Sequence, residues 1–210
     1  MITPDDLMEA AALCRDSLLV QVDGDWEWPA GQLEWTRRQT LEHICALGYT
    51  WQLATRARER RRIALTILPD APIDMLVSTL YDAATVLAEV ARATPPEARA
   101  YHPAGTADAA GFVAMETDEL LVHTHDILEG IDNGLEPSEH LALLVLDRLF
   151  PWWPREAPPW EALLWANGRR ALAGHDNPGA TWLWHCAPLE EWDGTVPSWG
   201  PADNRPAGRP

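Results

Sequence analysis

The chain has 210 residues, a length that suits one domain or one domain plus an appendage. Its 16 basic and 32 acidic residues leave a formal charge of −16, which repels phosphate backbones and anionic lipid heads and argues against nucleic acid or a membrane as partner. Every basic residue is Arg, so lysine Schiff bases, pyridoxal-phosphate lysines and P-loop lysines are excluded. No GxGxxG follows a strand-like run and no GxSxG occurs, so dinucleotide-binding and serine-hydrolase readings lack their signatures. Cys14, Cys45 and Cys186 are widely spaced, form no CxxC and read as reduced thiols. The acidic N-terminus does not resemble a signal sequence and no 18-residue apolar run occurs, so a cytoplasmic protein is expected.

Taken in chain order, the first two thirds read as helices. Leu7, Ala11, Cys14 and Leu18 fall at helical spacing between about Pro4 and Val20. Thr36 opens a second helix, with Thr36 and Gln39 forming a capping box, and the pattern extends to about Arg62 before Pro69 and Pro72. A third helix is expected from Ile73 to Ala93, stopped by Pro95 and Pro96, and a fourth from Asp108 to Gly130. Ser138 to Phe150 and Trp160 to Leu172 read as two further helices. Residues 181–186 allow a strand, and the chain after Pro201 reads as a floppy tail. Eight of the 12 Trp lie from Trp152 onward, so the character of the chain changes there. The expected architecture is all-α: a four-helix bundle over residues 1–134, a Trp- and Pro-rich C-terminal extension over 135–200, and a tail over 201–210. Six Trp from Trp152 to Trp184 would be a solubility hazard if exposed together. They are expected to fold over the bundle or against a second copy of the chain.

The fourth helix carries the chemistry. Glu119 and His123 are four apart and share a face, and Glu116 and Asp126 extend that stripe by three residues on either side. Such a stripe either faces water or points inward at a metal that offsets the desolvation of the carboxylate. A third ligand must come from elsewhere, and His43 in the second helix is the best candidate. Two imidazoles and one carboxylate would bind zinc, or nickel, iron or manganese, and leave positions open.

Trp35-Thr36 with His43 resembles the W-T-x6-H segment of the mycothiol-dependent maleylpyruvate isomerase family, within the DinB/YfiT-like metal-binding superfamily. Glu119, His123 and Asp126 are similar to its E-x3-H-x2-D motif. The resemblance covers roughly residues 1 to 134. It implies a DinB-like bundle with His43, Glu119 and His123 as metal ligands, and Asp126 accepting an imidazole N–H to fix that ring. It also implies mycothiol, or another low-molecular-weight thiol, as cosubstrate. The expected function is a transferase or isomerase in which a divalent metal activates the thiol for S-transfer to a small electrophile or for thiol-assisted isomerisation. The alternative is a non-catalytic, metal-stabilised bundle that binds a small molecule or a protein partner, favoured if a fourth protein ligand closes the site. A homodimer is kept open as the assembly.

Three residues are candidates to line the pocket. His125 is rotated about 200° from His123 around the helix, outside the ligand set. His185 and Trp184 belong to the extension and could reach the mouth of the site. Cys45 reads as a buried structural thiol. Arg56, Arg58, Arg60, Arg61 and Arg62 form a basic run read as a solvated face at a helix C-terminus.

Overall fold

A computed structural model of the chain describes residues 1–59, 66–131, 134–178 and 182–198. The protein is mostly helical. Helices α1 (Pro4–Leu19), α2 (Arg37–Cys45), α3 (Tyr49–Ala54), α4 (Ile73–Ala93), α5 (Ala109–Leu128), α6 (Glu139–Leu149) and α7 (Pro159–Ala166) are joined by loops and one short hairpin. α1 and α2 each pack on α4 and α5, which also touch one another. α6 lies on α5 and carries α7.

Local sequence explains where these helices start. Thr3 caps α1, with the Thr3 and Asp6 side chains exchanging bonds with each other's backbone, and Pro4 supplies a preset φ at the first turn. Leu7, Cys14 and Leu18 fall on its buried face. Thr36 and Gln39 form the same reciprocal box at α2, with bonds of 3.2 and 3.0 Å. Asp108 caps α5 by accepting the Gly111 N–H at 2.8 Å, and Ser138 caps α6 through Leu141.

Three expectations are corrected. The second helix does not run on towards Arg62. It stops at Cys45, Gly48 opens the separate α3, and Arg56 ends that helix at a φ of 49°. Arg60, Arg61 and Arg62 lie outside the described residues, as does the expected tail over 201–210. The helix expected from Trp160 to Leu172 ends at Ala166, because Gly168 takes a φ of 73°. There the Gly168 N–H bonds the Trp165 carbonyl and the Arg169 N–H bonds the Leu164 carbonyl, both at 2.8 Å. This paired pattern is a Schellman motif, which uses glycine's left-handed freedom to satisfy the last carbonyls. The segment around 181–186 is not a strand among the described residues. Trp182 makes one isolated bridge to Ser198.

Sequence reading missed the hairpin of β1 (Ala100–His102) and β2 (Gly105–Ala107), antiparallel with Ala100 opposite Ala107. It leads directly into α5 and docks on the end of α3, where the Tyr101 N–H bonds the Ala57 carbonyl at 2.7 Å.

The extension folds over the helices. Trp153, Trp165 and Trp184 are buried, and Trp152, Trp160 and Trp182 pack partly buried against the same core. Arg148 fastens the extension at His185 and Cys186. Its guanidinium donates to Asp108 Oδ1 at 2.6 Å and to the His185 and Cys186 carbonyls at 3.1 and 3.0 Å. Gly111 permits this approach, since a Cβ there would lie 2.4 Å from the Cys186 oxygen. Among the described residues no helix is long and apolar enough to cross a membrane.

Candidate metal centre

α5 is buried along nearly its whole length, polar residues included, because α1, α2, α4 and α6 surround it. The stripe therefore faces protein rather than water: Glu116 is 4% exposed, Glu119 9%, His123 5% and Asp126 2%. The water-facing reading of these residues is overturned.

α2 crosses α5 so that His43 meets this stripe. The ligand atoms of His43, Glu119 and His123 all lie within 4.8 Å of one another. Glu119 Oε2 sits 3.4 Å from His43 Nε2 and 3.0 Å from His123 Nε2. The other carboxylate oxygen, Oε1, accepts the Tyr49 hydroxyl at 3.3 Å, so Oε2 is the one turned to the imidazoles. His123 uses its second nitrogen on Asp126, with Nδ1 and Oδ2 3.0 Å apart. Asp126 in turn accepts both the Nε and a terminal N–H of Arg169, at 3.3 and 2.9 Å. The Trp35 indole lies against His43, ring centroids 5.0 Å apart.

The electrostatics follow from this network. Burial pushes the Glu119 pKa up, but hydrogen bonds from His123 and His43 outweigh it and hold the carboxyl well below the usual range. Burial also raises Asp126, and the His123 bond and Arg169 overcome it, so that carboxyl too stays ionised. Burial lowers His123, yet its bonds to Asp126 and Glu119 leave the ring above the ordinary imidazole value. Among the described residues Glu116 has no such partners. Its burial and the nearby Glu119 charge lift it well above the usual carboxylate range, which favours the neutral form. Asp118 is raised to about 7 by burial and by Glu119, against hydrogen bonds from Trp184 and Asn167.

These residues fit a divalent cation. The donors are two imidazole nitrogens and one ionised carboxylate oxygen, a mixed set that suits zinc and its first-row neighbours. The buried Glu119 charge has imidazoles and a phenol as its hydrogen-bond partners, so a cation would compensate it directly. Among the described residues no fourth His, Cys, Asp or Glu joins the group.

The remaining sequence candidates lie elsewhere. His125 points at α7, edge-on to Trp160 with centroids 5.6 Å apart. His185 sits in the extension, its Nε2 3.1 Å from the Pro188 carbonyl. Trp184 is fully buried. Its Nε1 donates to Asp118 at 2.9 Å and its ring packs on His102, which in turn packs on Tyr49. Cys45 is a buried thiol bonded to the Leu76 carbonyl, with its pKa pushed up to about 12 by burial, as expected of a structural cysteine. Sequence reasoning missed Tyr49, which follows a helix break that no Pro marks. It also missed Asn167 and Arg169. The Asn-Gly pair at 167–168 carries the stop signal that would have turned the chain there.

In comparisons with known proteins, no family, no curated protein and no solved structure matches this chain.

Proposed function

We propose that the protein is a divalent-metal enzyme that activates a low-molecular-weight thiol of the mycothiol class. The thiol attacks a small electrophile, in S-transfer or in thiol-assisted isomerisation. The observation that carries this reading is the convergence of His43 with Glu119 and His123 from helices far apart in sequence. The two resembling motifs supply the thiol chemistry. α1, α2, α4 and α5 take the place of the four helices of a DinB-like bundle, zinc is the first candidate ion, and the cytoplasm is the compartment that suits a reduced thiol.

His43, Glu119 and His123 hold the ion. Tyr49 occupies Glu119 Oε1, and Asp126 accepts the Nδ1–H of His123, which leaves Nε2 free as a donor. When bound, the ion supplies positive charge that lowers the pKa of a thiol it meets. Glu119 and Asp126 carry two negative charges and Arg169 one positive, so the protein groups sum to −1 with neutral imidazoles. A divalent cation beside these groups would add positive charge that attracts an anionic ligand such as a thiolate. Three protein donors favour an open, catalytic site over the closed four-ligand site of a structural bundle.

The test is metal analysis of untagged protein with His123→Ala beside it, followed by a thiol-conjugation screen against maleylpyruvate-like, aryl and alkyl electrophiles. One equivalent of metal is expected in the native protein and none in the variant. Helicity should be retained, because apolar burial rather than the ion holds the helices together. Metal-free native protein that binds no added zinc would overturn the reading.

A further inference from the structure

The turn that ends α7 touches α5 at two places, and the ligand stretch lies between them. Asn167 Nδ2 donates to Asp118 Oδ1 at 2.9 Å, while Arg169 grips Asp126 through Nε and a terminal N–H. Glu119 and His123 fall between those two carboxylates in the sequence. Eight residues of helix span about 12 Å, so the turn runs along the helix beside the candidate ligands. Its own shape is fixed three times over. Gly168 closes the Schellman pair, the Asn167 carbonyl accepts a terminal N–H of Arg169 at 2.9 Å, and the Arg169 carbonyl accepts Gln32 Nε2 at 3.4 Å.

We infer that Arg169 is a positioning residue of the metal centre. It locks the Asp126 carboxylate in the plane that receives the His123 Nδ1–H, and through it aims Nε2 of that ring at the ion. This inference rests on the metal-binding reading above. Three observations carry it. Asp126 is 2% exposed, so its orientation is set by protein partners rather than water. Both of its oxygens are occupied by one planar fork, and Oδ2 is shared between that fork and the imidazole. The fork comes from a turn anchored independently of Asp126. A guanidinium offers paired, coplanar N–H groups, whereas an ammonium offers a point charge that leaves the carboxylate free to turn. The role therefore belongs to the geometry of arginine and not to its charge alone.

Arg169→Lys separates the two, because it keeps the charge and loses the fork. In zinc titrations with a competing chelator, R169K should bind about 10-fold or more weakly, the usual effect of losing a group that orients a ligand. Asp126→Asn should bind weakly too, and the R169K/D126N double variant no more weakly than D126N, since Arg169 acts through Asp126. Thermal unfolding and circular dichroism check that R169K is folded. In parallel, nitrogen-edited NMR of the metal-free protein follows the His123 Nδ1–H. It should be protected from exchange in the native chain and exposed in R169K.

Native zinc affinity in R169K, additive losses in the double variant, or an Nδ1–H equally protected in R169K would each overturn the positioning role. If R169K fails to fold, the Nδ1–H protection in Arg169→Gln decides instead, because that change keeps a polar side chain and loses the paired fork: weakened protection supports the role and unchanged protection overturns it. If the native chain binds no zinc, the metal reading falls, while the NMR arm still decides whether Arg169 fixes His123.

Discussion

His123 shows how one side chain is placed by its neighbours. Its Nδ1 meets Asp126 and its Nε2 meets Glu119, each at 3.0 Å, so both ring nitrogens face ionised acceptors. These bonds overcome burial and raise its pKa, so the metal-free ring keeps its second proton to a higher pH than an ordinary imidazole. An incoming ion needs Nε2 bare and must displace that proton. Zinc binding near neutral pH is therefore expected to release protons, and affinity should climb with pH until the raised pKa of the ring is passed. Calorimetry in buffers of different ionisation enthalpy checks this, and an apparent enthalpy identical in every buffer would refute it. The same sign governs the metal-free fold. The stabilisation from a protonated His123 is complete below the unfolded imidazole range and is lost as pH rises through the folded value. The grouping of the three candidate ligands was legible because Glu119 and His123 share a helical face and His43 follows a capping box. Tyr49 and Arg169 were not, because they enter through a helix break and a C-terminal turn whose directions depend on packing.

At the scale of elements, the helix starts were legible and the stops less so. Thr3, Thr36, Asp108 and Ser138 all sit where a side-chain acceptor precedes apolar residues at helical spacing, and all cap helices. The stops at Cys45 and Ala166 are made by local backbone turns, the second by Gly168, which periodicity does not register. The start of α5 shows how tight such a junction is. Gly111 sits in its first turn under the Cys186 carbonyl and the Arg148 guanidinium. Gly111→Ala brings a helix-propensity gain of about 1 kcal/mol at most. Against that, its Cβ would lie 2.4 Å from a backbone oxygen and 2.8 Å from the guanidinium, so the extension must shift. Overpacking of this kind costs about 1–3 kcal/mol, so a net loss is expected in urea unfolding. Gly168→Ala meets nothing closer than 3.8 Å, and its cost comes from the left-handed φ alone, about 1–2 kcal/mol.

At the scale of the molecule, the extension is part of the core. Trp184 is 1% exposed and Trp153 4%, so the six Trp from 152 to 184 shield the helices rather than burden the surface. Two truncations separate the contributions. Ending the chain at Pro178 keeps Asn167 and Arg169 and removes Trp184. Ending it at Phe150 removes all three. Both should associate in size-exclusion chromatography, because the face that Trp184 covers becomes exposed. The shorter chain alone should bind zinc about 10-fold or more weakly, because Asp126 loses its partner. Equal zinc affinity in the two would detach the extension from the site. The order of the elements along the chain has a consequence for synthesis. The three candidate ligands are complete once α5 has been made, whereas the arginine beside them is encoded well after it, beyond α6 and α7. A growing chain thus holds the donors before it holds the group that orders them, and the centre reaches its final form late in translation.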